Sequence, residues 1–317
     1  MVICIGEVLF DLISDQPGAV LKDVTVWIPY PGGAPANVAC GVRRLGIESA
    51  FIGAIGDDAL GSELVATLES KGVDRTGIQQ ITGYPTRSVL VTRDLMGDRT
   101  FAAFGEDRSS NCFADTRLDA EKLPLELLRL ASYLVTGTLG LASSDTAKAI
   151  HRAIDIVKES GGTIVTDLNW RSVFWPDLSA AQVPIQGILA KTDILKLTDD
   201  EAELFFNTVD PVVIHDRLPH LNAILLTRGD RGCAYWIGGH SGECPAFNVS
   251  VEDTTGAGDA FLAGFLSHYN NQLTDANSIQ LAIRYASAAG ALTTLKQGAI
   301  AALPTSAEIK AFLRDRG

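Results

Sequence analysis

Asp253-Thr254-Thr255-Gly256-Ala257-Gly258-Asp259 runs directly into the apolar stretch Ala260-Phe261-Leu262-Ala263-Gly264-Phe265. Small residues ahead of a helix leave its first amide N–H groups uncovered at the positive end of the helix dipole, where an oxyanion is stabilised. Asp259 lies in that same turn, and a carboxylate there repels a phosphate unless it has a chemical task. Accepting the proton of an attacking hydroxyl is such a task. Capping the helix behind a tight Gly256/Gly258 turn is the other reading, and the stretch alone does not choose.

Other segments carry polar groups at places where a ligand could meet them. Pro31-Gly32-Gly33-Ala34-Pro35-Ala36-Asn37 opens a helix that runs on to Gly46. Its glycines let backbone approach a ligand closely, and Asn37 offers both a donor and an acceptor, which suits a polyol. A Gly-Pro turn with Asn37 in solvent would look the same. Asp11 follows the first strand, Val2–Ile5, and is either a ligand contact at a strand's carboxyl end or a solvated loop residue. Arg171, just past the strand Thr163–Asp167, can contact a sugar or phosphate, stack on Trp175 or pair with a carboxylate. Glu201 follows Thr198 in an N-capping pattern, as a helix-start acid or an indirect magnesium ligand. Arg228-Gly229-Asp230-Arg231-Gly232, after the strand Ala223–Thr227, suits a nucleotide phosphate or forms a plain turn.

Short β-rich runs alternate with helical patterns along most of the 317 residues, which predicts an α/β chain with a mostly parallel sheet and helices on both faces. Further strands are expected at Ala50–Ile55, Tyr133–Thr136 and Asp193–Leu197. Helices are expected near Gly61–Gly72, Asp145–Glu159, Ala202–Phe206, Ala257–Asn270, Ser278–Lys296 and Ala307–Asp315. Ser88–Thr92 and Arg99–Phe104 flank Leu95-Met96-Gly97-Asp98 as a hairpin that breaks the alternation. Together with Val20–Ile28 it is expected to form a small sheet outside the main layer. That sheet is either a water-excluding lid or an ordinary surface hairpin. No linker or repeat divides the chain, so residues 1–317 are expected to form one domain with a lid at about 12–31 and 86–108.

Composition excludes several classes. The net charge of −12 gives no basic face for nucleic acid or an anionic membrane, and no apolar run is long enough to span a bilayer. An anionic ligand such as ATP would need a locally positive site and a divalent cation. Cys4, Cys40, Cys112, Cys233 and Cys244 are widely spaced without a C-x-x-C pair, so buried free thiols are expected and a structural zinc site is not. Met1-Val2-Ile3-Cys4-Ile5 lacks a basic leader region, and a cytoplasmic location is the expectation. P-loop and G-x-S-x-G motifs are absent.

Four segments now stand in a recognisable order: Pro31-Gly-Gly-Ala-Pro-Ala-Asn37, Asp167-x-Asn169-x-Arg171-x-x-x-Trp175, Gly229-x-x-Gly232 and Asp253-Thr-Thr-Gly-Ala-Gly-Asp259-Ala-Phe. In this the chain resembles the ribokinase-like (PfkB) carbohydrate kinases from Ile5 to about Leu303, and the Gly-Gly-Ala-Pro-Ala-Asn form resembles their fructokinase branch. The resemblance implies a three-layer α/β/α sandwich with a small β lid and transfer of the ATP γ-phosphoryl to a sugar hydroxyl. It implies Asp259 as the base, with the amides of Gly256, Ala257 and Gly258 as the anion hole. Asp11, Gly32, Gly33, Asn37, Phe104 and Arg171 would then line the sugar, while Thr227, Arg228, Gly229 and Gly232 border the ATP phosphates. Glu201 would position Mg²⁺ through water, and Asp253, Thr255, Thr293, Lys296 and Gly298 match a monovalent-cation (K⁺) site.

Two departures bear on the substrate. Thr198 stands where ribokinase-like members have the Asn of N-x-x-E. Phe104-Gly105 stands where many fructokinases and 2-keto-3-deoxygluconate kinases have an aromatic-Arg pair, so a sugar-acid carboxylate would lack a partner. Fructose phosphorylated at its 6-hydroxyl is the resulting expectation, with 2-keto-3-deoxygluconate or another ketose or ribose as the runner-up. A non-catalytic sugar- or nucleotide-binding protein is the reading from another class, and the intact Asp259 and glycines speak against it. A homodimer through the lid edge is also expected.

Overall fold

The computed structural model describes residues 1–93, 99–105, 109–175, 177–269 and 275–316. The hairpin turn Leu95–Asp98 therefore lies outside the described residues. Among the described residues the thirteen strands are β1 (Val2–Ile5), β2 (Leu9–Ser14), β3 (Trp27–Gly32), β4 (Ser49–Gly56), β5 (Asp74–Ile81), β6 (Ser88–Arg93), β7 (Arg99–Phe104), β8 (Tyr133–Thr136), β9 (Thr163–Asp167), β10 (Ile194–Thr198), β11 (Ala223–Thr227), β12 (Cys233–Ile237) and β13 (His240–Cys244).

Among the described residues nine strands form the main sheet in the order β13-β12-β11-β10-β9-β8-β1-β4-β5. Pairing is parallel from β11 across to β5, while β12 pairs antiparallel with both β11 and β13. The parallel strands inward of β5 read as largely apolar, buried runs because both faces are covered, whereas the edge strand β5 is polar and partly exposed. One face packs Val2, Cys4, Val135, Val165 and Ile194 against the helices Ala34–Arg44, Ala59–Ser70, Ala257–His268 and Ala276–Thr293. The other packs Ile3, Ile5, Leu134, Leu195 and Leu197 against Ser144–Glu159 and Leu178–Leu189. The chain leaves β1 toward β4 and β5 on one side and toward β8 through β11 on the other. The carboxyl ends of β1 and β8 are therefore the topological switch point, where such sheets open a crevice for ligands.

A second sheet, β3-β2-β6-β7, stands beyond the main layer. Its strands correct the expected span Val20–Ile28. Leu21–Asp23 is a short 3-10 turn, and the pairing strands are Leu9–Ser14 and Trp27–Gly32. Pro29 and Pro31 disguise β3, which tolerates them because it is an edge strand. β5 and the helices Leu178–Leu189 and Pro211–Arg217 were likewise not expected from the pattern. The five cysteines are free thiols, all buried except the half-buried Cys112.

Candidate active site

Gly256 caps the helix Ala257–His268 from the left-handed region, at φ 76°, and no side chain caps it. A Cβ there would sit 2.7 Å from Ala299 Cβ, so only glycine fits the turn. Asp259 is the third residue of the helix and does not cap it, which disposes of the simpler reading. Ala257 N–H turns back to the Thr254 carbonyl at 3.3 Å. Gly256 and Gly258 carry no side chain to cover their own amides.

Asp259 is half-buried, and its Oδ2 accepts Nδ2 of Asn37 at 2.8 Å. Burial pushes its carboxyl above the usual range, against the pull of Lys196, Asn37 and Arg171. Asn37 lies in the first turn of the helix Ala34–Arg44 and is 4% exposed, so the solvent-facing alternative for it is wrong. Its Oδ1 is buried without a hydrogen-bond partner. A substrate hydroxyl is the kind of group that would satisfy it.

Gly33 caps Asn37's helix at φ 103°, and a Cβ there would approach the Glu7 carbonyl to 2.6 Å. Glu7 itself is buried, and its Oε1 accepts Ala34 N–H at 3.2 Å. Burial, then Asp115 and Asp259, push the Glu7 carboxyl up to about 8. Asp11 is half-buried, and its Oδ2 lies 2.7 Å from where a Cβ on Gly32 would stand. Asp11 thus lies beside Gly32, Gly33 caps the helix that carries Asn37, and Asn37 reaches Asp259, which links the small sheet to the glycine-rich helix start.

Under the helix start runs a buried ion pair: Lys196 Nζ donates to both oxygens of Asp167, at 3.0 and 2.9 Å. The two occupy adjacent places on β10 and β9. Burial pulls the Lys196 ammonium down, but Asp167, Glu201 and Asp259 outweigh it, so the group is held above its ordinary value. Burial likewise pushes Asp167 up, to about 6, against the ammonium. A Cβ on Gly258 would come within 2.9 Å of Lys196 Nζ. Glu201 completes a capping box with Thr198, its Oε2 accepting Thr198 N–H, while its Oε1 accepts Trp170 N–H at 2.6 Å. Both carboxylate oxygens thus hold backbone, as a helix-start acid would. Asn169, between Asp167 and Arg171, adopts φ 40°. Arg171 is exposed and bonds the Trp170 carbonyl, and Trp175 stacks on Trp170 and not on Arg171. Phe104 packs edge-on to Phe174 at 5.2 Å beside the buried Arg87.

At the end of β11 Thr227 donates to the Leu197 carbonyl at 3.4 Å. Gly229 and Gly232 take positive φ, and Arg228 N–H closes the turn on Gly232 O at 2.7 Å. The Arg228 guanidinium is already engaged, pairing with Glu243 at 2.7 Å. Behind the helix start, Asp253 accepts Thr255 N–H at 2.9 Å and Gly298 N–H at 2.7 Å. It thereby ties the glycine loop to the segment after the helix Ala276–Thr293. Thr293 donates its hydroxyl to Ala289 O and the Lys296 side chain is exposed, while the backbone N–H groups of Glu252 and Asp253 both donate to the Thr294 carbonyl and hold this segment beside the Asp253–Thr255 turn.

Sequence reasoning gave Glu7, Lys196 and Arg87 no role. A signal existed for Lys196: a lysine inside Ile194-Leu195-Lys196-Leu197, a strand of a covered parallel sheet, is out of place unless paired.

A doubly wound sheet with a carboxylate and a glycine-rich helix start at its switch point defines a phosphotransferase-type α/β fold. The model of the pfkB family carbohydrate kinases matches residues 1–306, and the chain belongs to that family. It is 36% identical over 315 residues to Fructokinase-1 of Zea mays, covering 98% of this chain and 96% of that one. The fructokinase of Xylella fastidiosa with bound ATP superposes at TM-score 0.88, with 28% identity over 99% of this chain and 98% of that one. A double mutant of the Vibrio cholerae O395 fructokinase, solved with fructose, ADP and a potassium ion, gives 0.85 at 27% identity, covering 98% and 97%.

Proposed function

We propose that this chain is an ATP-dependent fructokinase that transfers the γ-phosphoryl of ATP to the 6-hydroxyl of fructose. The observation that carries the reading is the Asn37–Asp259 hydrogen bond in front of an uncovered helix start. It couples a polyol-binding amide to a carboxylate at an anion site. The plant and bacterial relatives named for fructose support the sugar assignment.

In this reading Asp11, Asn37 and the Gly32-Gly33 backbone hold the sugar, with Phe104 and Arg171 at its border. Asp259 takes the proton of the attacking hydroxyl as the bond to phosphorus forms. The helix start around Gly256 to Gly258 receives the charge that spreads over the equatorial oxygens. Thr227 and the Gly229–Gly232 turn border the ATP phosphates, with Arg228 available there only by leaving Glu243.

No group of three metal-ligating side chains occurs among the described residues. In this reading Mg²⁺ keeps its waters and binds chiefly through substrate phosphates, with Glu201 acting through water. The ion would neutralise charge between the β- and γ-phosphoryl groups. Potassium would lie by the Asp253–Thr255 turn and Gly298, where Asp253 already fixes the loop. We also assign residues 1–317 to one kinase domain with its lid. A homodimer along an edge strand of the lid and a cytoplasmic site of action complete the reading. Among the described residues no helix is long and apolar enough to cross a membrane.

Coupled ADP release on fructose, ribose and 2-keto-3-deoxygluconate tests it. Fructose is expected to give the highest kcat/KM; turnover of the sugar acid alone would reverse the substrate, and no turnover would remove the enzyme reading. Asp259→Asn is expected to lower kcat about 10²–10⁴-fold while ATP still binds.

A further inference from the structure

Lys196 and Arg87 are the two fully buried cations among the described residues, and only Lys196 lies at the helix start. Its ammonium has three N–H donors, and the two bonds to the Asp167 carboxylate leave one to spend. The way toward the anion hole is open because residue 258 is glycine; a methyl there would stand 2.9 Å from Nζ. Other charged groups of the neighbourhood are carboxylates from three elements: Glu7 after β1, Asp167 on β9 and Glu201 after β10. The cation Arg171 is exposed at the rim. A strand lysine desolvated this completely, in a chain of net charge −12, is a fixed positive floor where two anions must meet.

We propose that Lys196, clamped by Asp167, is a positioning residue of the phosphoryl-transfer site: it gives the Gly256–Gly258 anion hole its cationic floor and sets a fixed positive charge beside the turn that carries Asp259. The assignment rests on the kinase reading above. Asp167 aims the ammonium, Gly258 leaves it exposed to the incoming oxyanion, and the lysine donates no proton and forms no bond to phosphorus. Its pull on Asp259 opposes the effect of burial there, and it outweighs the contribution of Arg171.

The test compares wild type, Lys196→Met, Asp167→Asn and the double variant Lys196→Met/Asp167→Asn, each with ATP and fructose. Lys196→Met strands a buried carboxylate and is expected to lose stability as well as activity. The double variant removes both charges, so its melting temperature is expected to return toward wild type. Its kcat should nevertheless stay down by about 10²-fold, the loss typical of one preorganised donor, with KM for fructose little changed. In Lys196→Met the acid limb of the kcat/KM profile is expected to move to higher pH. A double variant that regains wild-type kcat would overturn the proposal and leave Lys196 a structural pair partner. An acid limb that does not move would overturn it as well. Absence of turnover in wild type would instead remove the kinase reading, so the two failures are told apart.

Discussion

Nδ2 of Asn37 and Oδ2 of Asp259 lie 2.8 Å apart across 222 residues of sequence, each on the first turn of a different helix. The amide donates to the ionised form of the carboxylate and so favours it, while its own carbonyl oxygen is left buried without a partner. Asn37→Ala is therefore expected to do two things. Hydrogen bonds to charged groups contribute about 1.5–3 kcal/mol, so kcat/KM for fructose should fall roughly 10–150-fold. Part of that loss should appear in KM, because the sugar's acceptor is gone. The acid limb of the kcat/KM profile should also shift upward, since Asp259 loses a bond that lowers its pKa. Initial-rate kinetics between pH 5 and 9 measure both, and an unmoved acid limb would show that the amide does not tune the base.

The glycine at the helix start gives a second expectation. Gly256→Ala forces alanine to φ 76°, which costs about 1–2 kcal/mol, and drives its methyl into Ala299. The helix start must shift, and a displacement of about 1 Å at a reacting centre can cost on the order of 10² in rate. Gly46→Ala is the control, because Gly46 has φ 95° but nothing within 4 Å of the added methyl. Both variants should melt earlier, but only Gly256→Ala should lose kcat. Equal kcat in the two would mean that the loop tolerates the movement.

Much of this site was legible before the fold because its pieces are local. A glycine turn followed by Asp259 and an apolar run, and Gly33 four residues before Asn37, announce helix starts through spacing alone. What the sequence could not carry was the long-range pairing. The reach of Asn37 to Asp259, and of Lys196 to Asp167, depends on which strands are neighbours, and neither residue's own segment encodes that. β3 was missed for a different reason, since Pro29 and Pro31 contradict strand propensity and only its edge position excuses them. Glu201 shows the reverse case: the capping box read from Thr198 is present, and the same carboxylate also holds Trp170 through a contact no spacing could show.

Glu7 supplies a stability prediction with a definite sign. Its carboxyl titrates near 8 in the folded chain, against 4.5 for the free group, because burial disfavours the charge. Below about pH 4.5 it is protonated in both states; between about 4.5 and 8 only the folded state holds the proton. Stability from this group is thus fully present at low pH and declines by roughly 1.4 kcal/mol per pH unit across that window. Glu7→Gln keeps the neutral shape without the titration. The melting temperature of Glu7→Gln relative to wild type should therefore rise from pH 5 to pH 8 and then level off. Thermal scans across that range check it, and a flat difference would show that Glu7 is ionised in the folded protein.

Arg87 joins the small four-stranded sheet to the main body and gives the last expectation. It directly precedes β6, and its backbone carbonyl accepts Phe10 N–H near the start of β2. Its guanidinium, 1% exposed, pairs with Asp115 through Nε at 2.6 Å and Nη2 at 2.9 Å and also bonds the Ser110 carbonyl. Phe104, Phe113 and Phe174 surround it at 4.6–5.2 Å. Nη1 is left without a protein partner, beside a cavity of about 20 Å³ that is large enough for one water. Removing one member of such a pair strands the other charge, so Arg87→Met should destabilise the fold by about 3–5 kcal/mol. Replacing both, as Arg87→Met with Asp115→Leu, should recover most of that loss, because desolvation of two charges offsets much of their attraction. Urea denaturation of the single and double variants separates the outcomes. If the double variant is no more stable than the single, then stacking against the three phenylalanines, and not charge, is what Arg87 contributes at the base of the small sheet.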